Sequence, residues 1–319
     1  MAVGLSALAA PAAQAGTVTV GSPLTAAFTP AEYGAGSPLT LFNSALPEPG
    51  ANVTSPVNGV ILRWSIVGAV GGPFKLRVLT PGTANKYTGA GVSGGGLPGS
   101  TDVQTFATVL PVKAGQTIGL DNTNETDKIG QAAVAGASLG FLKPVIEEGA
   151  TAAGTELTGE EVGFNAEIQP QPTVAAVSPT EGTFAGGNPV TIAGTDFANV
   201  KSVSFGEVPA TAFTVDNAEQ ITAVVPPVSR PQSVDITVTT VAGKSLTVPA
   251  GRFTYKACVV PSLKGKTVQG ARRALKRNGC RLGHVRRARK ARRHPKVVKQ
   301  NVAPGKNREP ATRIGVKIG

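Results

Sequence analysis

The chain has 319 residues, enough for one to three domains. With 40 glycines, 25 prolines and only 5% aromatic residues, it suits short strands and tight turns and argues against a helical bundle. The formal net charge is +12, and no apolar run is long enough to cross a bilayer as a helix, which excludes a multispanning helical membrane protein.

Both histidines, His284 and His294, and both cysteines, Cys258 and Cys280, lie in the last quarter. A His-assisted triad, a thiol nucleophile or a His/Cys zinc site is therefore excluded from residues 1–256. The charge is just as uneven. Residues 257–319 hold 19 lysines and arginines against a single acid, Glu309, for a net +18. Residues 1–169 are net negative, and 170–256 are close to neutral. A field so concentrated attracts polyanions: anionic wall polymers, nucleic acid or an anionic membrane surface.

Residues 1–15 have the form of an export signal. Ala2 to Ala13 is apolar and rich in small residues, and Ala13-Gln14-Ala15 before Gly16 is an A-x-A cleavage pattern. The basic residues that usually open such a segment are missing. The expectation is a secreted chain with no transmembrane span once processed.

Residues 17–168 are expected to form a β-sandwich of jelly-roll type. Val60, Leu62, Trp64 and Ile66 share one face by period two, so Trp64, the only tryptophan, is expected in the core and not on a sugar-binding face. Phe74, Leu76 and Val78 form the apolar face of the next strand. The two runs suggest a hairpin whose wet face carries Arg63, Lys75 and Arg77. Thr105–Val112, Thr117–Leu120 and Val162–Ile168 add strands, with Gly89–Gly99 as a Gly/Ser-rich separator. Asp121, Asn124, Glu125 and Asp127 cluster without EF-hand spacing, so a solvated turn is expected there in preference to calcium. Glu147-Glu148 and Glu160-Glu161 are adjacent pairs, which point to opposite sides of an extended chain and make poor acid/base partners. No catalytic residue, cofactor or metal is expected, although a protein or glycan partner for this sandwich stays open, and a glycan hydrolase using its carboxylates is the alternative reading. The runs Ser55-Pro56-Val57-Asn58-Gly59, Arg63-Trp64, Leu76-Arg77-Val78-Leu79 and Leu110 to Gly115 are similar to N-terminal sandwich regions of secreted actinobacterial proteins. That resemblance implies an extracellular location and no known activity.

Residues 169–173, with Gln169-Pro170-Gln171-Pro172, are expected to be a linker. Residues 174–256 then alternate as strands about every ten residues. The core is expected at Ile192, Val203, Phe205, Ile221, Val234, Ile236, Val238, Phe253 and Tyr255. The opening Ser178-Pro179…Gly182, then Gly186-Gly187-Asn188-Pro189, and the closing Phe253-Thr254-Tyr255 resemble the IPT/TIG family of immunoglobulin-like domains. The resemblance implies a spacer or interaction module.

Residues 257–319 suggest one helix on a small sheet. Val268, Ala271, Ala274 and Leu275 recur at helical spacing, Thr267 supplies an N-cap, and Asn278-Gly279 a stop. Strands are expected at Val259–Pro261, Arg281–Val285, Val297–Gln300 and Ile314–Ile318. So small a core is marginal, and a Cys258–Cys280 disulfide is expected if the chain is exported, two buried thiols otherwise. Two cysteines and two histidines without close C-x-x-C spacing argue against zinc. Val260-Pro261-Ser262-Leu263-Lys264-Gly265-Lys266-Thr267, Ala271…Ala274-Leu275, Cys280-Arg281-Leu282-Gly283 and Val298 to Gly305 resemble a PASTA domain. That resemblance implies peptidoglycan as partner. The run Arg286-Arg287-Ala288-Arg289-Lys290-Ala291-Arg292-Arg293 departs from the family's mixed-charge surface and favours nonspecific polyanion contact over recognition of a stem peptide. The candidate polyanion contacts are Arg272, Arg273, Lys276, Arg286, Arg287, Arg289, Lys290, Arg292 and Arg293. Nucleic acid is the weaker partner, because the segment has no aromatic side chain on which a base could stack.

Overall fold

The computed structural model describes residues 16–33, 38–288 and 294–319. The expected signal segment and Arg289, Lys290, Arg292 and Arg293 lie outside the described residues. The protein is mainly β, with one α-helix among the described residues. It divides into two compact units, one ending at Gln171 and including Val241–Gly243, the other formed by Pro172–Thr240 and Lys244–Gly319.

The first unit contains β1 (Val18–Gly21), β2 (Thr29–Glu32), β3 (Leu39–Ala45), β4 (Gly59–Ile66), β5 (Phe74–Pro81), β6 (Lys86–Gly96), β7 (Gln104–Val112), β8 (Thr117–Asn122), β9 (Lys128–Leu142), β10 (Thr151–Ala153), β11 (Thr155–Val162) and β12 (Phe164–Pro170). One sheet runs β1-β12-β4-β7. The other runs β10-β6-β5-β8-β3-β9-β11, with β2 also on β9. Trp64, Ile61, Ile66, Phe74, Leu76, Leu120, Phe164 and Ile168 share the core between them. Trp64 is buried as expected, with its ring 4.7 Å from that of Phe106.

Three expectations are corrected here. β4 and β5 are not a hairpin, because they belong to opposite sheets. The face of β4 also changes midway: the register slips between Ile61 and Arg63, so Ile61 is fully buried while Leu62 is only half-buried. A bulge reverses the parity of every residue before it, which period-two counting does not see. Third, the Gly/Ser-rich stretch is a strand, β6, and not a separator. Its small residues admit neighbours: a Cβ on Gly96 would lie 2.7 Å from the Phe106 ring and 2.8 Å from Trp64.

The expected linker is also part strand. Gln169 and Pro170 continue β12, paired with Val60 and Gly59 of β4. β1 pairs β12 only as far as Ile168, so Pro170 stands where no partner is needed on that side, and its missing N–H costs no ladder bond.

The second unit holds two cores. The first is built on β13 (Thr173–Ser178), β14 (Glu181–Thr183), β15 (Pro189–Thr195), β16 (Ser202–Phe205), β17 (Val208–Pro209), β18 (Ala212–Asn217), β19 (Gln220–Val224), β20 (Gln232–Thr240), β21 (Gly243–Lys244) and β22 (Arg252–Lys256). The sheets β13-β15-β19-β18 and β14-β22-β20-β16-β17 enclose the expected core, with Val234 packed at its margin. Phe205, Phe253 and Tyr255 meet edge to face, with ring centroids 5.1 to 6.5 Å apart.

The second core belongs to β23 (Cys258–Val259), α1 (Val268–Arg277), β24 (Arg281–Arg287), β25 (Val297–Gln300), β26 (Asn307–Arg308) and β27 (Arg313–Ile318). The order is β24-β27-β25, with β24 parallel and β25 antiparallel to β27. Thr267 caps α1 by accepting a hydrogen bond from the Gly270 N–H at 3.1 Å, and Gly279 follows the helix at φ +71°. Cys258 and Cys280 form a disulfide across 22 residues of chain, which closes a loop worth about 3 kcal/mol in chain entropy. For a module whose apolar core is so small, that is a large share of its stability.

Candidate functional site

Four charged groups of the sandwich, Arg77, Asp121, Asp127 and Glu161, are turned inward. Arg77 lies in β5 and Asp121 in β8, and both are almost fully buried. The Arg77 guanidinium donates to Asp121 through Nε, at 3.0 Å to Oδ2, and through Nη2. Thr40 Oγ1 donates to Asp121 Oδ1 at 2.7 Å and itself accepts from the Ile146 N–H. Thus Arg77 keeps the face expected of it, with Lys75 and opposite Phe74, Leu76 and Val78, but that face is covered there by Leu142 and Ile146, and Asp121 and the buried Asp127 leave the expected solvated turn. Alternation gave the face of Arg77 but not its covering, and a guanidinium tolerates burial when a carboxylate meets it there with good geometry.

Glu161 is a further inward carboxylate. It is fully buried at the end of β11, and neither oxygen makes a hydrogen bond of normal geometry among the described residues. Burial pushes its carboxyl up to about 7; the Ser22 hydroxyl opposes the rise, and the neighbouring Glu48 adds to it by hydrogen bonding and charge. Glu48 Oε2 is likewise buried and unpartnered. The two carboxyls are neighbours, but Glu161 is closed to solvent and so cannot reach a substrate.

The C-terminal module presents the opposite arrangement. Arg272, Arg273 and Lys276 are exposed on α1, and Arg286 and Arg287 are exposed on β24. No salt bridge among the described residues involves any cation of this module. Its basic side chains border three open hollows. Arg272, Lys276 and Arg281 line one of about 480 Å³ between the helix and β24. His284, Arg286, Lys299, Asn301 and Lys317 line a second, of about 430 Å³. Lys264, His294 and Lys296 line a third, of about 420 Å³. The structure thus brings Arg272 and Lys276 together and sets Arg286 apart from them. Arg273 and Arg287 border none of these three hollows. Sequence reasoning missed Arg281, Lys299 and Lys317. The signal was present: Lys317 alternates outward between Val316 and Ile318. The cysteines are committed to the disulfide, so neither is available as a thiolate.

No curated protein matches the chain. Among solved structures, it is similar to the γ-CGTase of the alkaliphilic Bacillus clarkii, with 17% identity over 42% of this chain and 25% of that one, at a TM-score of 0.24. It is similar to the plexin A4 extracellular region, with 17% identity, 60% and 18% coverage, and a TM-score of 0.25. It is also similar to a protein crystallised with a xylogluco-oligosaccharide, with 19% identity, 64% and 42% coverage, and a TM-score of 0.26. The chain spans less than half the length of each of these. The family model for the IPT/TIG domain matches residues 172–255, the stretch that folds as the two-sheet sandwich around Phe205, Phe253 and Tyr255. Residues 172–255 are therefore an IPT/TIG domain.

Proposed function

We propose that this is a non-catalytic, secreted cell-envelope protein, held at anionic wall material by its C-terminal module, with the IPT/TIG domain as spacer. The observation that carries this reading is the set of cations in residues 257–319 that, among the described residues, make no salt bridge. Cations that were only a solvated surface would normally be interspersed with acids, and this module has one acid, Glu309. The order of strand, capped helix and strands in residues 257–319 agrees with the PASTA-like motifs, and so supports peptidoglycan or its attached polymers as the partner. The A-x-A segment supports export. The absence of an aromatic side chain in the module counts against single-stranded nucleic acid.

The test is cosedimentation of the whole chain with purified wall sacculi, with and without their anionic polymers, over a salt series. Binding is expected at about 0.1 M salt and should fade towards about 1 M, where the screening length falls to about 3 Å. Failure to sediment with polymer-bearing sacculi at low salt would overturn the reading. Retention at high salt on polymer-free sacculi would assign a shaped peptidoglycan site instead.

A further inference from the structure

The outer face of the β24-β27-β25 sheet carries a row of like charges. Arg286 of β24 stands directly opposite Lys317 of β27, and Lys317 stands directly opposite Lys299 of β25. All three are exposed. Strands in a sheet are about 4.8 Å apart, so the row sets three cations at a regular pitch. Like charges directly opposed across strands destabilise a sheet. A module with so small a core has little reason to carry that cost without a counter-charge.

The row is also constructed by irregularities. On β25 the register slips between Val297 and Lys299, and the bulge at Val298 brings Lys299 opposite Lys317. On β24 it slips between Leu282 and Val285, so that Gly283 and His284 together oppose Gly315. Gly315 is held from both sides by Asn301: its N–H donates to Asn301 Oδ1 at 2.9 Å, and its carbonyl accepts from the Asn301 N–H at 3.0 Å. Having no side chain, Gly315 leaves open the hollow that His284, Asn301 and the row border. The cationic row and the hollow beside it are therefore one continuous surface.

We infer that this face binds a linear phosphodiester wall polymer laid across the three strands, its phosphates meeting Arg286, Lys317 and Lys299 and entering the hollow over Gly315. The inference rests on the polyanion reading above and names the surface and ligand class. A phosphodiester suits the row because each repeat brings one charge and two non-bridging oxygens that accept from several donors. No Phe, Tyr or Trp lines the hollow, which counts against base stacking as the mode of binding.

The experiment compares whole-chain variants of equal charge change against purified poly(glycerol phosphate). One carries Arg286→Gln, Lys299→Gln and Lys317→Gln; the other carries Arg272→Gln, Arg273→Gln and Lys276→Gln on the helix. The row variant should lose affinity about tenfold at low salt. Its slope of log affinity against log salt should fall by about 2 to 3. The helix variant should keep most of both. Without polymer, the row variant should unfold at a higher temperature than the wild type, because its cross-strand repulsion is gone. Equal losses in the two variants would overturn the row while leaving the polyanion reading intact. No wild-type binding to the polymer at low salt would overturn both. Duplex DNA bound as tightly, with the same dependence on the row, would overturn the choice of a wall polymer.

Discussion

The N-terminal sandwich and the C-terminal module use the same charged side chains for opposite ends. In the sandwich, Arg77 is buried on the outer face of one sheet, beneath the segment that carries Leu142 and Ile146, and held by Asp121, which is itself fixed by Thr40. At the surface of the same unit, Arg63 meets Glu167 at 2.7 Å and Lys128 meets Glu32 at 3.2 Å. In the C-terminal module Arg286, Lys317 and Lys299 face one another instead of an acid, and Arg281 stands opposite Arg313. A paired cation uses up its field locally and specifies packing. An unpaired row projects its field into solvent, where it can be used only by a ligand. What differs is the company each residue keeps, which net charge alone does not reveal.

The sharpest way to break this comparison is to remove the acid from the sandwich pair. Asp121→Ala strands a buried guanidinium without its partner, and the expected loss is about 3 to 5 kcal/mol. Replacing both partners, with Arg77→Met and Asp121→Leu together, should cost far less, because no charge is left buried. Urea unfolding of the two proteins measures the difference. If Asp121→Ala behaves like a surface change, Arg77 is solvated and the contrast between the regions fails.

Glu161 sharpens the comparison from the other side, as a buried acid with no cation. Its carboxyl titrates near 7 in the folded chain, above the ordinary 4.5. The folded state therefore keeps its proton where the unfolded chain has already released it. Stability from this group is complete below about pH 4.5 and falls as pH rises to about 7, by about 3 kcal/mol in all. Glu161→Gln should flatten that decline and leave the sandwich more stable than wild type at about pH 8. Thermal unfolding from acid to mildly alkaline pH reads both. An unchanged slope in the variant would show that Glu161 is ionised and solvated in the fold.

How far the sequence made all this legible depends on what sets each feature. The IPT/TIG sandwich was legible almost residue by residue, since its strands alternate cleanly and its turns recur at short intervals. The helix, its cap and its stop were legible because capping is local chemistry. The sandwich was legible as a class but not as a topology. Whether β4 pairs with β5 depends on contacts far apart in sequence, and a single bulge moved Ile61 into the core. The fate of Arg77 depended on Asp121, 44 residues away, which no local pattern announces. The charge of the C-terminal module was plain, but its arrangement was not. The dense run from Arg286 drew attention away from single outward lysines, although Lys299 and Lys317 complete the row only through two register slips.

The smallest effect tests whether the C-terminal module's stability and its surface charge are separable. Thr267 contributes one hydrogen bond, to the Gly270 N–H, at the start of a ten-residue helix with no acid in its first turn. Without the cap nothing else among the described residues of that turn opposes the positive end of the helix dipole. Thr267→Ala should therefore cost about 1 kcal/mol, and Thr267→Ser much less, since serine keeps the accepting oxygen. Hydrogen exchange at the amides of Ala271, Ala274 and Leu275, which face the core, reports the change directly. Because the sheet carries the row and the helix only backs it, Thr267→Ala should speed exchange in α1 without altering the salt dependence of polymer binding. A matching fall in binding would mean that the helix and the charged face act as one unit, and the separation drawn between stabilising and ligand-facing charge would have to be abandoned for this module.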